Sequence, residues 1–340
     1  MNFDLIVAMW GDSYPLIFER VAFPSLCAPG NIPALAEAGR VTLWLYVAAG
    51  EAAGVDPERY RARLPAAVEV AVVPVSGIGG SNLVARNYTD LSVCHRLAVA
   101  KAGERNAVLC FLPADGIWAD GSLRAMATQL AAGRRAVLTN GIRIAAETFL
   151  TVYVERFLAP DLSVARCPPR SLAAAVMPHL HRLTLSTLID SPTFTTWPSL
   201  VTWPVAGEDG LLTRLFHLHP AMVWPRRYGD FTGTVDHGLI EAAMSRTDDI
   251  YVVTDSDEAL QVNLDVLGHR DDLIGNAPAS IATIASWIPT ATTPLHRWFF
   301  LNAPIRLHAR DLNAAWTPVE EQSRQFAAVV LAAAERRPPH

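Results

Sequence analysis

The sequence predicts an α/β protein: a mostly parallel sheet with flanking helices, followed by an irregular C-terminal half. The first observation is a series of short apolar segments that suit strands buried on both faces. Within residues 1–145 these segments are 3–9, 41–48, 68–75, 107–112 and 136–139. The second observation is that helical segments separate these strands, which is typical of a doubly wound parallel layer. We expect residues 1–145 to form this layer and residues 146–340 to pack on the same core.

Apolar spacing and end signals indicate the helices. In the first region the expected helices are 14–26, a short one at 33–37, 52–64, one that begins at Thr89 or Asp90, and 122–132. In the second region we expect helices at 145–158, 172–176, 180–189 and 318–336, a strand at 250–254, and an element of either kind at 211–218. The glycine-rich loop 77–82 is not a dinucleotide-binding fingerprint, because it follows the third strand and has the wrong spacing.

Composition excludes several classes of protein. Of 340 residues, 51% are hydrophobic and 18% charged, which argues against disorder. The net charge of −5 offers no basic excess, so we expect no nucleic-acid partner. The four cysteines form no CxxC pair, and the sequence shows neither a secretory signal nor an apolar run of about 20 residues. We expect a cytoplasmic protein without a transmembrane segment; its oligomeric state does not follow from the sequence.

A cluster of acids and glycines follows the fourth predicted strand. Asp115, Gly116, Asp120 and Gly121 come directly after the apolar segment 107–112 and Pro113. In open α/β sheets, ligands bind in the crevice outside the carboxyl ends of the strands. A carboxylate at this point can reach a metal ion or a sugar hydroxyl. The alternative is that both acids only form the turn and cap the next helix.

This order of elements, with an apolar strand that ends in an acid about a third of the way along the chain, resembles the GT-A glycosyltransferase fold. The resemblance covers residues 3–145 and lies in the layout rather than in a sharp motif. In that family an acidic motif after the fourth strand, usually Asp-x-Asp, holds a divalent metal on the donor diphosphate. Here Ala114 and Asp115 occupy that position, so a literal Asp-x-Asp is absent from it. The resemblance implies a Rossmann-like, GT-A-type sheet.

The resemblance also implies an activity: a glycosyltransferase that moves a sugar from a nucleotide-sugar to a carbohydrate or protein acceptor. The implied cofactor is a divalent metal, Mn²⁺ or Mg²⁺. Asp115 and Asp120 would hold the metal or the ribose. The implied nucleotide contacts are Trp10, Gly11, Asp12 and Asp115, with Arg143, Arg226 and Arg227 as candidate partners of the phosphates.

A literal Asp-x-Asp occurs at Asp255 and Asp257, after the predicted strand 250–254. Its position is late for a donor-site motif, and acids beside a strand end also serve as helix caps. Position therefore favours Asp115 over Asp255.

The acceptor hydroxyl of an inverting transferase requires a general base, usually a carboxylate or a histidine. The second region concentrates such groups. The candidate catalytic residues are Glu208, Asp209 and Asp236, and the additional candidate metal ligands are His217 and His219. The alternative for His217 and His219 is that they pack or bond locally.

Two other classes remain open. A His-x-His pair places both imidazoles on one side of a strand, as in many metal-dependent hydrolases. The chain has this pattern at 179–181 and at His217/His219, with Asp236 and Asp255 as available carboxylates. A non-catalytic carbohydrate- or protein-binding module is the third class, and Trp197, Trp203 and Trp224 support it because aromatic faces stack on sugars and on protein partners.

Overall fold

The chain folds around a central seven-stranded sheet, in a computed structural model that describes residues 1–79, 84–244 and 246–336. For residues 84–86 only the backbone is described. The strands are β1 (Asn2–Met9), β2 (Arg40–Ala48), β3 (Val68–Val75), β4 (Val108–Phe111), β5 (Gly116–Trp118), β6 (Ala136–Thr139), β7 (Gly141–Ala145), β8 (Leu200–Pro204), β9 (Gly210–Leu215), β10 (His219–Val223), β11 (Ile250–Val252), β12 (Gln261–Asp265) and β13 (Ile305–His308).

Helices flank the sheet and fill most of the connections. The helices are α1 (Ser13–Ile17), α2 (Phe23–Leu26), α3 (Ile32–Ala38), α4 (Pro57–Arg61), α5 (Val84–Gly103), α6 (Ser122–Ala131), α7 (Ala146–Arg156), α8 (Pro169–Val176), α9 (Arg182–Leu185), α10 (Ile240–Ala243), α11 (Ile281–Ala291), α12 (Pro294–Asn302) and α13 (Trp316–Glu335). Two further segments are π-helical, Phe18–Ala22 and Val235–Leu239, and short 3₁₀ turns lie at Ala52–Gly54, Met177–His179, Thr247–Asp249 and Asp271–Leu273.

The strand order of the central sheet is β11-β6-β10-β4-β1-β2-β3. All strands but β10 run in the same direction, because β10 is antiparallel to both of its neighbours. The strands expected from the first 145 residues all lie in this sheet, which confirms the α/β class with a mostly parallel sheet. Side chains of β1 alternate between two cores, with Phe3 and Leu5 facing one and Ile6 the other.

The second half of the chain contributes two strands to the central sheet. Strands β10 and β11 lie in the central sheet, so both halves share its cores. A second sheet, of order β5-β12-β7, begins directly beyond the carboxyl ends of the central strands. Only Asn140 separates β6 from β7, and Asp115 directly precedes β5. Side chains that project from this second sheet therefore lie close to the carboxyl edge of the first.

Several local expectations were wrong. Helix α5 begins at Val84 rather than at Thr89 or Asp90. Strand β7 was not expected from the sequence, because its partner β12 comes from residues more than a hundred positions away. Neither His-x-His pair lies along one strand, since residues 179–181 form a turn and His217 precedes β10. Positions 80–82 of the expected glycine-rich loop lie outside the described residues.

A third sheet, β13-β9-β8, is antiparallel and packs against α11, α12 and α13. Among the described helices, none combines the length and the apolar character that a membrane crossing requires.

Candidate functional site

A cleft opens at the carboxyl edge of the central sheet. Residues 8–10 at the end of β1 and residues 111–115 at the end of β4 line a cavity of about 250 Å³. Because β10 runs in the opposite direction, its first residue, His219, lies at the same edge and also lines the cavity. This is the edge at which the sequence predicts a ligand site.

Aromatic side chains form much of the first cavity. Trp10 follows β1, Tyr14 lies in α1 and Tyr88 lies in α5; all three line the cavity. Asn263 of β12 adds an amide from the second sheet. Flat aromatic faces beside hydrogen-bonding groups suit a ligand that has a ring and several hydroxyls, such as a nucleoside.

Asp115 lies on the wall of this cavity. Burial raises the pKa of its carboxyl to about 6, although the nearby Arg143 guanidinium opposes the shift. The backbone carbonyl of Asp115 accepts a hydrogen bond from the Leu264 N–H at 3.0 Å, which ties the start of β5 to β12. The backbone at Asp115 is thus tied to the second sheet rather than placed on a loose turn.

Arg143 projects from β7 into the cavity and is held by an acid behind it. Its Nη1 donates to Oδ2 of Asp265 at 2.7 Å. The other oxygen of Asp265 is paired with Nδ1 of His269, which also lines the cavity. Asp265 is buried, so this carboxylate compensates Arg143 and orients it at the same time. Arg226 and Arg227 line neither of the cavities described here, and Arg226 pairs with Asp249 instead.

A second cavity, of about 220 Å³, adjoins the first. Hydroxyl side chains dominate its lining: Thr184, Thr187, Thr195, Ser199, Thr202 and Thr213. Thr202 Oγ1 lies 3.2 Å from the hydroxyl oxygens of both Thr187 and Thr213, which forms a short chain of hydroxyls across β8 and β9. Trp197 adds an exposed aromatic face at this cavity.

Tyr88, Arg143 and Asp236 line both cavities. Asp236 lies in the π-helical segment and is a carboxylate at the junction. A group bound in one cavity can therefore meet a group bound in the other beside a cation and a carboxylate.

The turn after β1 contributes one of its three predicted contacts. Trp10 lines the first cavity, whereas Gly11 and Asp12 line neither cavity. The N–H of Gly11 donates to both carboxylate oxygens of Glu51, at 3.0 and 2.9 Å. Gly11 has a φ of +72°, so this turn favours glycine for backbone reasons.

Strand β5 separates Asp120 from Asp115, and Asp120 stabilises the fold. Its Oδ1 accepts a hydrogen bond from the N–H of Gly30 at 2.7 Å. At Gly30 a Cβ atom would come within 2.5 Å of the Gly121 backbone, so the chain at Gly30 packs too closely against Gly121 for a side chain to fit. Asp120 lines neither cavity, and the structure does not bring it together with Asp115.

Glu208 and Asp209 lie on the turn between β8 and β9, away from both cavities. Glu208 accepts from Asn313 at 2.6 Å, and Asp209 pairs with Arg310 at 3.0 Å. These contacts fasten the turn to the segment before α13. Of the three candidate bases, only Asp236 reaches the cleft.

His217 and His219 point to different places. Nε2 of His219 lies 2.7 Å from the Phe111 carbonyl oxygen, so it donates its proton to the end of β4. His217 lines the second cavity, and its Nε2 donates to the Ala291 carbonyl at 3.0 Å. Burial lowers the pKa of both imidazoles, which are therefore neutral at neutral pH.

Both acids of the literal Asp-x-Asp have partners within the fold. Asp255 accepts from Nε2 of His308 at 2.8 Å, while Nδ1 of His308 faces the Arg310 carbonyl. Asp257 forms a bidentate pair with Arg170, with contacts of 2.7 and 2.9 Å to one of its oxygens. Ligand atoms of Asp255, Asp257 and His308 lie within 4.8 Å of one another. Both nitrogens of His308 already have partners, so this group is bonded within the fold rather than an open donor set.

Other residues of the cleft had no local signal in the sequence. Tyr88, Asn263, His269 and Arg270 come from three separate stretches and meet only because β12 pairs with β7 above the sheet. The guanidinium of Arg270 lies 5.4 Å from the ring of Tyr88 and also bonds its hydroxyl. Only long-range strand pairing could have revealed this group.

Comparison with known proteins gives limited information. No protein-family model matches the chain. No curated protein matches it either.

Solved structures show a slight likeness in fold over part of the chain. One is a putative glucose-1-phosphate thymidylyltransferase from Bacillus anthracis, with a TM-score of 0.26 and 10% identity over 43% of this chain and 56% of that one. Another is a mannose-1-phosphate geranyltransferase from Thermus thermophilus, with a TM-score of 0.23 and 17% identity over 43% and 42% of the two chains. The chain thus spans about half the length of these structures. A likeness this slight says nothing about activity.

Proposed function

We propose that this chain is a glycosyltransferase that moves a sugar from a nucleotide-activated donor to an acceptor hydroxyl. The observation that carries the proposal is the meeting of two cavities at Arg143 and Asp236. A two-substrate transfer needs adjoining sites, with charge stabilisation and a proton acceptor where they join.

The first cavity is the donor site in this proposal. It lies at the carboxyl edge of the central sheet, where open α/β folds bind nucleotides. The faces of Trp10, Tyr14 and Tyr88 can stack on the base or the sugar. Asp115 accepts hydrogen bonds from ribose or sugar hydroxyls, and Arg143 faces the diphosphate.

The second cavity is the acceptor site. Its wall of threonine and serine hydroxyls donates and accepts hydrogen bonds, and Trp197 offers a stacking face. This lining matches a polyhydroxylated acceptor such as a carbohydrate.

The chemistry is a single displacement at the anomeric carbon. The acceptor oxygen forms a bond to that carbon as its proton passes to the carboxylate of Asp236. The bond between the anomeric carbon and the diphosphate oxygen breaks, and the nucleoside diphosphate leaves with its charge facing Arg143.

The divalent metal implied by the GT-A resemblance does not fit the donor cavity. Of the two carboxylates implied as metal ligands, Asp115 and Asp120, only Asp115 lines the donor cavity. Asp120 is bonded to Gly30, and the carboxylate of Asp265 is taken by Arg143 and His269. In this proposal Arg143 therefore stabilises the negative charge of the leaving group, and no step involves a metal ion.

Calorimetric titration of the purified chain with nucleoside diphosphates and nucleotide-sugars tests the proposal. We expect one nucleotide to bind, and Asp115→Ala or Arg143→Met to weaken it at least about tenfold, which corresponds to 1.4 kcal/mol. The matched control is Asp255→Asn, which alters the literal Asp-x-Asp and should leave the affinity unchanged.

Transfer is then measured with the nucleotide-sugar that binds and with a panel of simple glycosides. Asp236→Asn should abolish transfer and preserve nucleotide affinity. Absence of binding by every nucleotide tested would overturn the proposal, as would equal losses in Asp115→Ala and Asp255→Asn.

A further inference from the structure

Three histidines from separate elements converge beside the second cavity. His217 precedes β10, His237 lies in the π-helical segment and His296 lies in the first turn of α12. One ligating nitrogen of each lies within 4.8 Å of the other two. The ring centroids are 4.4 Å apart for His217 and His296, 5.2 Å for His237 and His296, and 5.7 Å for His217 and His237.

We propose that His217, His237 and His296 bind one transition-metal ion of the zinc class at the wall of the second cavity. Zinc is held by imidazole nitrogens at about 2.0–2.1 Å, and its catalytic sites combine three protein ligands with one open position. The donor set here is all nitrogen, which excludes Mg²⁺ and Ca²⁺ as preferred ions. The proposal stands independently of the transferase.

A backbone carbonyl orients one of the ligands, His217. The Ala291 carbonyl accepts from Nε2 of His217 at 3.0 Å, which leaves the lone pair on Nδ1. A backbone carbonyl behind a ligating imidazole is a common way to fix the ring and its tautomer. Asp236 is next to His237 in the chain, which places a carboxylate beside the cluster.

The third ligand must change tautomer. Nδ1 of His296 accepts from the Thr293 N–H at 3.2 Å as part of a capping box. The proton of this ring is therefore on Nε2 when no metal is bound. Coordination through Nε2 moves that proton to Nδ1, so the Thr293 N–H loses its acceptor. Metal binding is thereby coupled to the start of α12.

The site opens onto the second cavity, because both His217 and Asp236 line it. An ion there would leave one coordination position toward the cavity for water or for a ligand oxygen.

The test is titration of chelator-treated full-length chain with Zn²⁺ by calorimetry and with Co²⁺ by visible absorption. We expect one ion per chain and a tetrahedral cobalt spectrum. His237→Ala should weaken Zn²⁺ affinity at least about 100-fold, and His217→Gln should do the same. His179→Ala is the control, because it removes an imidazole that lies outside the cluster. In ¹H–¹⁵N spectra the Thr293 amide should shift on Zn²⁺ binding.

The results separate this site from other sources of binding. No Zn²⁺ binding by the wild type would overturn the proposal, as would equal affinity in His237→Ala. Loss of binding in Asp255→Asn with retention in His237→Ala would assign the ion to the Asp255 group instead. Nucleotide titrations on the same samples report on the donor cavity, so failure of either proposal can be seen without the other.

Discussion

Nη1 of Arg143 lies 2.7 Å from Oδ2 of Asp265, and this pair fixes the cation that faces both cavities. Asp265 belongs to β12 and Arg143 to β7, which are neighbours in the second sheet. A buried carboxylate behind an arginine reduces the freedom that the arginine would lose on binding a ligand.

Asp265→Asn should therefore weaken the binding of a nucleoside diphosphate. Loss of one charge-assisted hydrogen bond costs about 1.5–3 kcal/mol. If about half of that is lost from the free energy of ligand binding, the affinity falls about tenfold. Binding of the matching uncharged nucleoside should change little, because Arg143 faces the phosphates in our proposal. Calorimetry on both ligands measures this difference. Asp271→Asn, which removes an exposed partner of Arg182, is the control. Equal losses for nucleoside and nucleotide would contradict a positioning role.

Asp115 should make stability depend on pH. Its pKa is about 6 in the folded chain against an ordinary value of 3.8, so the folded state holds this proton more tightly. The resulting contribution is fully present below about pH 4 and is lost as the pH rises through about 6. At 1.36 kcal/mol for each pKa unit, the loss is at most about 3 kcal/mol.

Asp115→Asn removes this dependence. Relative to the wild type, the variant should gain free energy of unfolding between pH 4 and pH 6, which urea denaturation at a series of pH values measures. Asp12→Asn, at an exposed position outside both cavities, should run parallel to the wild type. Parallel curves for Asp115→Asn and the wild type would show that the carboxyl titrates normally.

Asp120 should matter for stability and not for ligands. Asp120→Ala removes the acceptor for the Gly30 N–H and should lower the free energy of unfolding by about 1–3 kcal/mol. Nucleotide affinity should stay within about twofold of the wild type, because Asp120 lines neither cavity. Denaturation and calorimetry on the same preparation test both parts. A tenfold loss of nucleotide affinity in a fully folded variant would show that Asp120 contributes to nucleotide binding after all.

The sequence predicts the central sheet well because each of its expected strands is a local apolar run. Val108 to Phe111 is buried on both faces, so composition alone identifies the strand and its acidic end at Asp115. The same reasoning cannot find β7, whose partner β12 lies more than a hundred residues away. It therefore names Arg143 as a candidate without placing it on a strand, and it misses Asp265 and His269 behind it.

Residue type alone did not separate acids in the cleft from acids with structural partners. Asp115, Asp120 and Asp255 all follow strands. However, Asp120 is bonded to the Gly30 N–H and Asp255 to His308. The partners that decide their roles are 90 and 53 residues away. Likewise, the pairing of His217 with His219 was suggested by spacing, whereas folding places His217 beside His237 and His296.

Arg214 in the third sheet gives a prediction about stability. Its side chain is buried, and burial lowers the pKa of its guanidinium to about 10. Nη1 donates to the carbonyls of Phe300 and Leu301 at 3.2 and 2.7 Å, and Nε donates to Ser323 at 2.9 Å. Arg214 thereby caps the C-terminal end of α12, where a cation is also favoured by the helix dipole.

Arg214→Met keeps most of the apolar stem but leaves those two carbonyls without this donor. Each buried acceptor that loses its partner costs about 1–3 kcal/mol, so the free energy of unfolding should fall by about 2–4 kcal/mol after the loss of a buried charge is offset. Urea denaturation measures this change, and Arg324→Met on the exposed face of α13 is the control. An unchanged midpoint for Arg214→Met would show that removing the buried charge stabilises the fold by as much as losing the helix cap destabilises it.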